Sequence, residues 1–122
     1  MEDVRETIDW PGSSDIDSRP GDEAVGYRAM TRDGLKIGSV DHVTYDRRWV
    51  VVRTGSKLFG GARHIVLADA IRSVDRSGKE LVFDLSHREI EGAPEYDREI
   101  GLDETREREA EVYFGLLRLN RS

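Results

Sequence analysis

A small, mainly β domain is the fold that the sequence predicts: about six short strands in an antiparallel barrel or sandwich, then a short helix and a C-terminal α-helix. Three observations carry that expectation. Between Gly26 and Leu85 short apolar runs alternate with turn signals at regular intervals. Two of the runs, Trp49-Val50-Val51-Val52 and Ile65-Val66-Leu67-Ala68, are apolar at every position, so something must cover both faces of those strands. Beyond Asp103, apolar residues recur with helical period.

Composition bounds the rest. The 122 residues fit one domain. Only 37% are apolar and 36% are charged, which implies a small core with solvated segments. A net charge of −6 repels phosphate backbones and anionic membranes at long range, which disfavours general nucleic-acid binding. The absence of cysteine excludes disulfides, thiolate nucleophiles and cysteine metal sites. The first residues, MEDVRETIDW, are acidic where a secretory signal needs a basic start, and no apolar run approaches the roughly 18 residues of a membrane span. The expectation is a cytoplasmic protein with no membrane span.

Residues 1–24 read as a poorly ordered extension of Pro, Gly, Ser and acids, in which Val4, Ile8 and Trp10 could form a short docking helix stopped by Pro11. Strands are expected near 26–30, 36–45, 49–53, 64–68, 71–75 and 81–85. Arg32-Asp33-Gly34, Asp46-Arg47-Arg48 and Ser77-Gly78-Lys79 supply hairpin turns, and 54–61 a longer loop. In the second strand Ile37, Val43 and Tyr45 share one phase of a two-residue period and Val40 does not. A bulge near Gly38 or Ser39 would bring Val40 inward. Ser86 with Glu89 three residues on is a capping box for a short helix that Ala93-Pro94 ends. Asp103 can cap the last helix, where Ala110, Tyr113, Phe114 and Leu117 fall at i, i+3, i+4 and i+7, and Leu116 and Leu119 widen the apolar face.

The blocks DGLKIGSVDHVTYD (33–46), WVVVRTG (49–55), LFGGARHIVLADAIRSVD (58–75) and LSHREIEGAPEYD (85–97) together resemble a PRC-barrel domain. The likeness divides the chain into an extension (1–24), a barrel domain (25–97) and a helical tail (98–122). Leu67 stands where many members have proline. The resemblance implies a small antiparallel PRC-type β-barrel and a non-catalytic interaction role. It implies no substrate and no catalytic set.

The candidate chemistry is sparse. His42, His64 and His87 lie too far apart in sequence for a zinc site, and no His-x-x-x-His pair exists. Asp41 and Asp46 could be imagined as an acid–base pair, but Asp46 leads a turn and Asp41 sits where a bulge must turn a side chain outward. There is no Gly-x-Ser-x-Gly elbow and no phosphate loop. The expectation is therefore no enzyme, no cofactor and no metal. Leu58 and Phe59, at the tip of a glycine-flanked loop, can anchor a partner or fold back to plug a barrel end. Tyr113 and Leu117 are candidate partner contacts on the last helix. Arg47, Arg48, Arg53 and Arg63 could form a basic patch or a charged edge that blocks strand aggregation. The functional expectation is non-enzymatic protein–protein interaction with self-association as a homodimer through the barrel's outer face and last helix. The alternative is an RNA- or ribosome-associated assembly factor using the arginines.

Overall fold

The computed structural model describes residues 19–55 and 61–120. Six strands appear where the apolar runs predict them: β1 (Arg28–Met30), β2 (Lys36–Val43), β3 (Trp49–Thr54), β4 (Ala62–Leu67), β5 (Ile71–Asp75) and β6 (Glu80–Phe83). Two helices follow, α1 (His87–Glu91) and α2 (Glu104–Asn120).

The turns form for local reasons. Gly34 takes φ 83° between β1 and β2, a conformation that glycine adopts without a Cβ clash. Asp46 accepts the backbone N–H of Arg48 at 3.0 Å and the Thr44 hydroxyl at 2.7 Å, closing the β2–β3 turn. Thr44 already belongs to that turn, so Tyr45 is fully exposed rather than in phase with Val43.

The strands make one sheet in the order β4-β3-β2-β1-β6-β5. Two features of the expected fold need correction: the pairing is not wholly antiparallel, and the sheet is not a closed barrel. β1 lies parallel to β6, with Arg28 beside Glu80, while every other pair is antiparallel. The reason lies at Ala68–Ala70, a single 3-10 turn flanked by extended backbone at Leu67 and Ile71. It bends the chain without reversing it, and one hairpin later β6 runs alongside β1 in the same sense. Among the described residues no ladder joins β4 to β5. The outer edge of β4 is taken instead by the segment after α1: Ile65 N–H donates to the Pro94 carbonyl and Tyr96 N–H to that of Arg63.

The expected bulge near Gly38 is present against β1, where Ile37 is the extra residue between the pairs Ala29–Gly38 and Met30–Lys36, and a second lies further along β2. Asp41 is the extra residue between the pairs Val40–Val52 and His42–Val51. It puts Val40 and Val43 on one face, both buried. Gly38 serves a different need: a Cβ there would lie 1.9 Å from the Arg53 carbonyl oxygen, so its backbone sits where only glycine fits.

Because directly paired residues share a face, Val40, Val43, Val50, Val52 and Val66 line one side of the sheet, and Trp49, Val51, Ile65 and Leu67 the other. All nine are buried. The first set belongs to one hydrophobic core with Leu81 and Phe83, and Trp49, Ile65 and Leu67 of the second set belong to the same core. The second set meets α2, whose Phe114 ring centroid is 6.2 Å from that of Trp49. The chain thus covers the outside of its own doubly apolar strands. Ser86 and Glu89 complete the capping box of α1, and Asp103 accepts the Arg106 N–H at 2.8 Å to start α2.

Candidate functional site

The last helix has two apolar sides. Toward the sheet, Ala110 and Phe114 are wholly buried, with Tyr113 and Leu117 packed beside them. Tyr113 donates its hydroxyl to the Glu89 carbonyl at 2.6 Å and stands edge-on to Phe114. Burial, and then the charge of Glu89, push the Tyr113 phenol above its ordinary value. The two helix residues singled out in the sequence therefore sit on the inward side. On the other side Val112, Leu116 and Leu119 are 56%, 57% and 68% exposed. At 100° per residue they fall within roughly 60° of one another, opposite Ala110 and Leu117. Periodicity alone merges the two sides into one wide face, and Val112 is missed. A helical projection centred on Phe114 would have separated them. Leu58 and Phe59, the other candidate contacts, lie outside the described residues.

The four arginines divide into two places. Arg47 and Arg48 close the β2–β3 turn, while Arg53 and Arg63 pair across strands roughly 16 Å further along β3. Arg48 reaches α2, with Nη1 2.8 Å from Glu111 and 3.5 Å from Glu107, and its guanidinium lies 5.1 Å from the centre of the Trp49 ring. Arg63 donates to Asp41 at 3.1 Å. Two of the four cations are thus paired with carboxylates of the same chain.

A polar cluster surrounds the β2 bulge. Asp41 holds His42 Nδ1 at 2.9 Å as well as Arg63, and the His42 ring meets Tyr96 edge-on at 4.9 Å. Burial pushes the Asp41 carboxyl up, but the hydrogen bonds from His42 and Arg63 and the charge on Arg63 outweigh it and leave the group below its ordinary value. A carboxylate held ionised in this way is a poor proton donor. Beside it lies an open groove of about 460 Å³ in which Arg63, Arg98 and Arg106 are matched by Glu95, Asp97 and Glu99. The other histidines have structural partners. Buried His64 donates through Nδ1 to the Ala93 carbonyl at 2.9 Å, and exposed His87 pairs with Glu91 one turn on. Among the described residues no three His, Cys, Asp or Glu side chains converge as metal ligands would. No helix among them is long and apolar enough to cross a membrane.

The chain matches no protein-family model, and no curated protein matches it.

Proposed function

We propose that this protein is a non-enzymatic, self-associating protein–protein interaction module, and that the outward side of α2 is its contact surface. The observation that carries this reading is the exposed line Val112, Leu116 and Leu119, on a helix whose opposite side is already used to cover Trp49 and Leu67. Apolar side chains grouped on one helix face gain by leaving water, at about 25 cal/mol per Å² of area removed. The likeness to PRC-barrel domains, with a cytoplasmic site of action, belongs to the same proposal. An ionised Asp41 and a charge-balanced groove favour this reading over catalysis. They offer less support for an RNA-binding role, because Arg48 and Arg63 already have acidic partners.

Size-exclusion chromatography with light scattering tests the proposal. The protein is expected to dimerise at tens of micromolar, on the order expected of a small interface. Leu116→Asp is expected to be monomeric with an unchanged unfolding curve. A wild-type protein that stays monomeric over that range, or dimerisation untouched by Leu116→Asp, would overturn it.

A further inference from the structure

We infer that residues 19–24 act as a strap, pinned at both ends by ion pairs, that keeps the free edge of β5 from pairing with another strand. The inference stands apart from the contact proposed for α2. β5 is the last strand of the sheet and is paired on one side only, with β6. A strand in that position presents a row of unpaired N–H and C=O groups, which is a template for edge-to-edge association. At the opposite edge of the sheet, β4 is closed off by the backbone bonds to Pro94 and from Tyr96. Among the described residues no backbone bond reaches the outer side of β5.

What lies beside β5 is the chain that leads into β1. At one end Arg19 forms an ion pair with Asp69, both mostly buried. At the other Arg76 Nη2 donates to Glu23 Oε2 at 3.3 Å. Asp69 and Arg76 stand just before and just after β5, so the two pins straddle the strand. Glu23 also shapes the strap, because its Oε1 accepts the Gly21 N–H at 3.1 Å beside the 3-10 turn at Asp22–Ala24. Ala24 is wholly buried and fixes the far end of the strap in the core. A cavity of about 160 Å³ remains between strap and strand, touching Pro20, Ile71, Ser73 and Val74. Ile71 and Val74 pair with Phe83 and Leu81 and share their side of the sheet, whereas Ser73 pairs with Val82. A space that touches all three lies at the edge of the strand and not over one face. The strap thus covers β5 without joining its ladder. β5 has two defences of its own, a bulge at Arg72 and the charges of Arg72 and Asp75. Ser73 and Val74 between them are uncharged, and the strap stands over these two.

The test uses the full chain carrying Leu116→Asp as parent, so that association through α2 does not mask the edge. Arg19→Ala with Glu23→Ala removes both pins. Hydrogen exchange at the Ala24 and Val25 amides is expected to quicken about tenfold, as local opening becomes easier. Light scattering is expected to show larger species than the parent forms at the same concentration. Ser73→Lys, added to that variant, is expected to return the mass to the parent's while exchange stays fast, because a lysine on an edge strand blocks pairing. Loss of Arg19 leaves Asp69 buried without its partner, so Glu23→Arg supplies a milder release at the exposed pin. It is expected to move both readings in the same direction, and Glu23→Arg with Arg76→Glu to bring both back. Unchanged exchange in both released variants overturns the pins. Faster exchange with no gain in mass overturns the guarding role, and a gain that Ser73→Lys leaves intact places the association elsewhere and overturns it too. A parent that is itself oligomeric counts against the α2 reading alone, since the gain over the parent still decides this one.

Discussion

Trp49, the first residue of β3, donates its indole N–H to Glu107 Oε2 of α2 at 3.0 Å, although 58 residues separate them in the chain. The bond joins the start of β3 to the first turn of the last helix, beside the Arg48–Glu111 ion pair. Glu107→Ala leaves a buried donor without an acceptor, which costs about 1–3 kcal/mol. Glu107→Gln keeps an acceptor and is expected to cost less. Urea unfolding followed by tryptophan fluorescence measures both, and equal stability of the two variants would contradict the assigned bond.

Two glycines should respond in opposite ways. Gly38→Ala drives a Cβ into the Arg53 carbonyl of the neighbouring strand, and forcing those backbones apart is expected to cost about 3 kcal/mol. Gly115→Ala meets open space and is expected to leave the monomer unchanged or more stable by up to about 1 kcal/mol. Thermal unfolding of the two variants, at concentrations where the protein is monomeric, checks the contrast.

Asp41 makes stability depend on acid pH. Its folded-state value lies below the ordinary 3.8, so folding favours the ionised form. The resulting stability is complete above the unfolded value and is lost as pH falls through the folded one. Asp41→Asn removes that contribution. The stability gap between wild type and variant is therefore expected to narrow steadily as pH is lowered from about 5, in denaturant titrations at each pH. A gap that widens would place the carboxyl in the wrong state.

Tyr113 gives the alkaline counterpart. Its phenol is raised above 10.0, so the neutral form stabilises the fold below that pH, and the contribution is lost as pH rises through the folded value. Tyr113→Phe loses the hydrogen bond to the Glu89 carbonyl, about 1 kcal/mol. The variant is expected to be less stable than wild type at pH 7, with the gap closing in alkali. Paired unfolding curves across that range test it.

Much of the local structure was legible in the sequence. The six strands, the Ser86–Glu89 capping box, the Asp103 cap and the Asp46 turn each depend on residues within a few positions of one another, and each is present. Strand order was not legible, because it turns on whether the chain at Ala68–Ala70 reverses or only bends, and three short residues do not signal which. The edge partner of β4 was hidden for a related reason. Ala93-Pro94 reads as a helix stop, yet the backbone after it pairs with Arg63 and Ile65, some 30 positions earlier. In α2 the sequence showed Ala110, Tyr113, Phe114, Leu116, Leu117 and Leu119 but not the part of Val112. Their division between two sides depended on which one meets Trp49.

The parallel contact between β1 and β6 also fixes when the domain can exist. Arg28 finds Glu80 only after both have been synthesised, and closing so long a loop costs entropy before any contact repays it. A nascent chain emerging from the ribosome carries β1 to β4 with one flank open, and Trp49 and Leu67 stay wet until α2 follows. A chain released before α2 would leave Trp49 without its cover and expose apolar surface of the kind that aggregates.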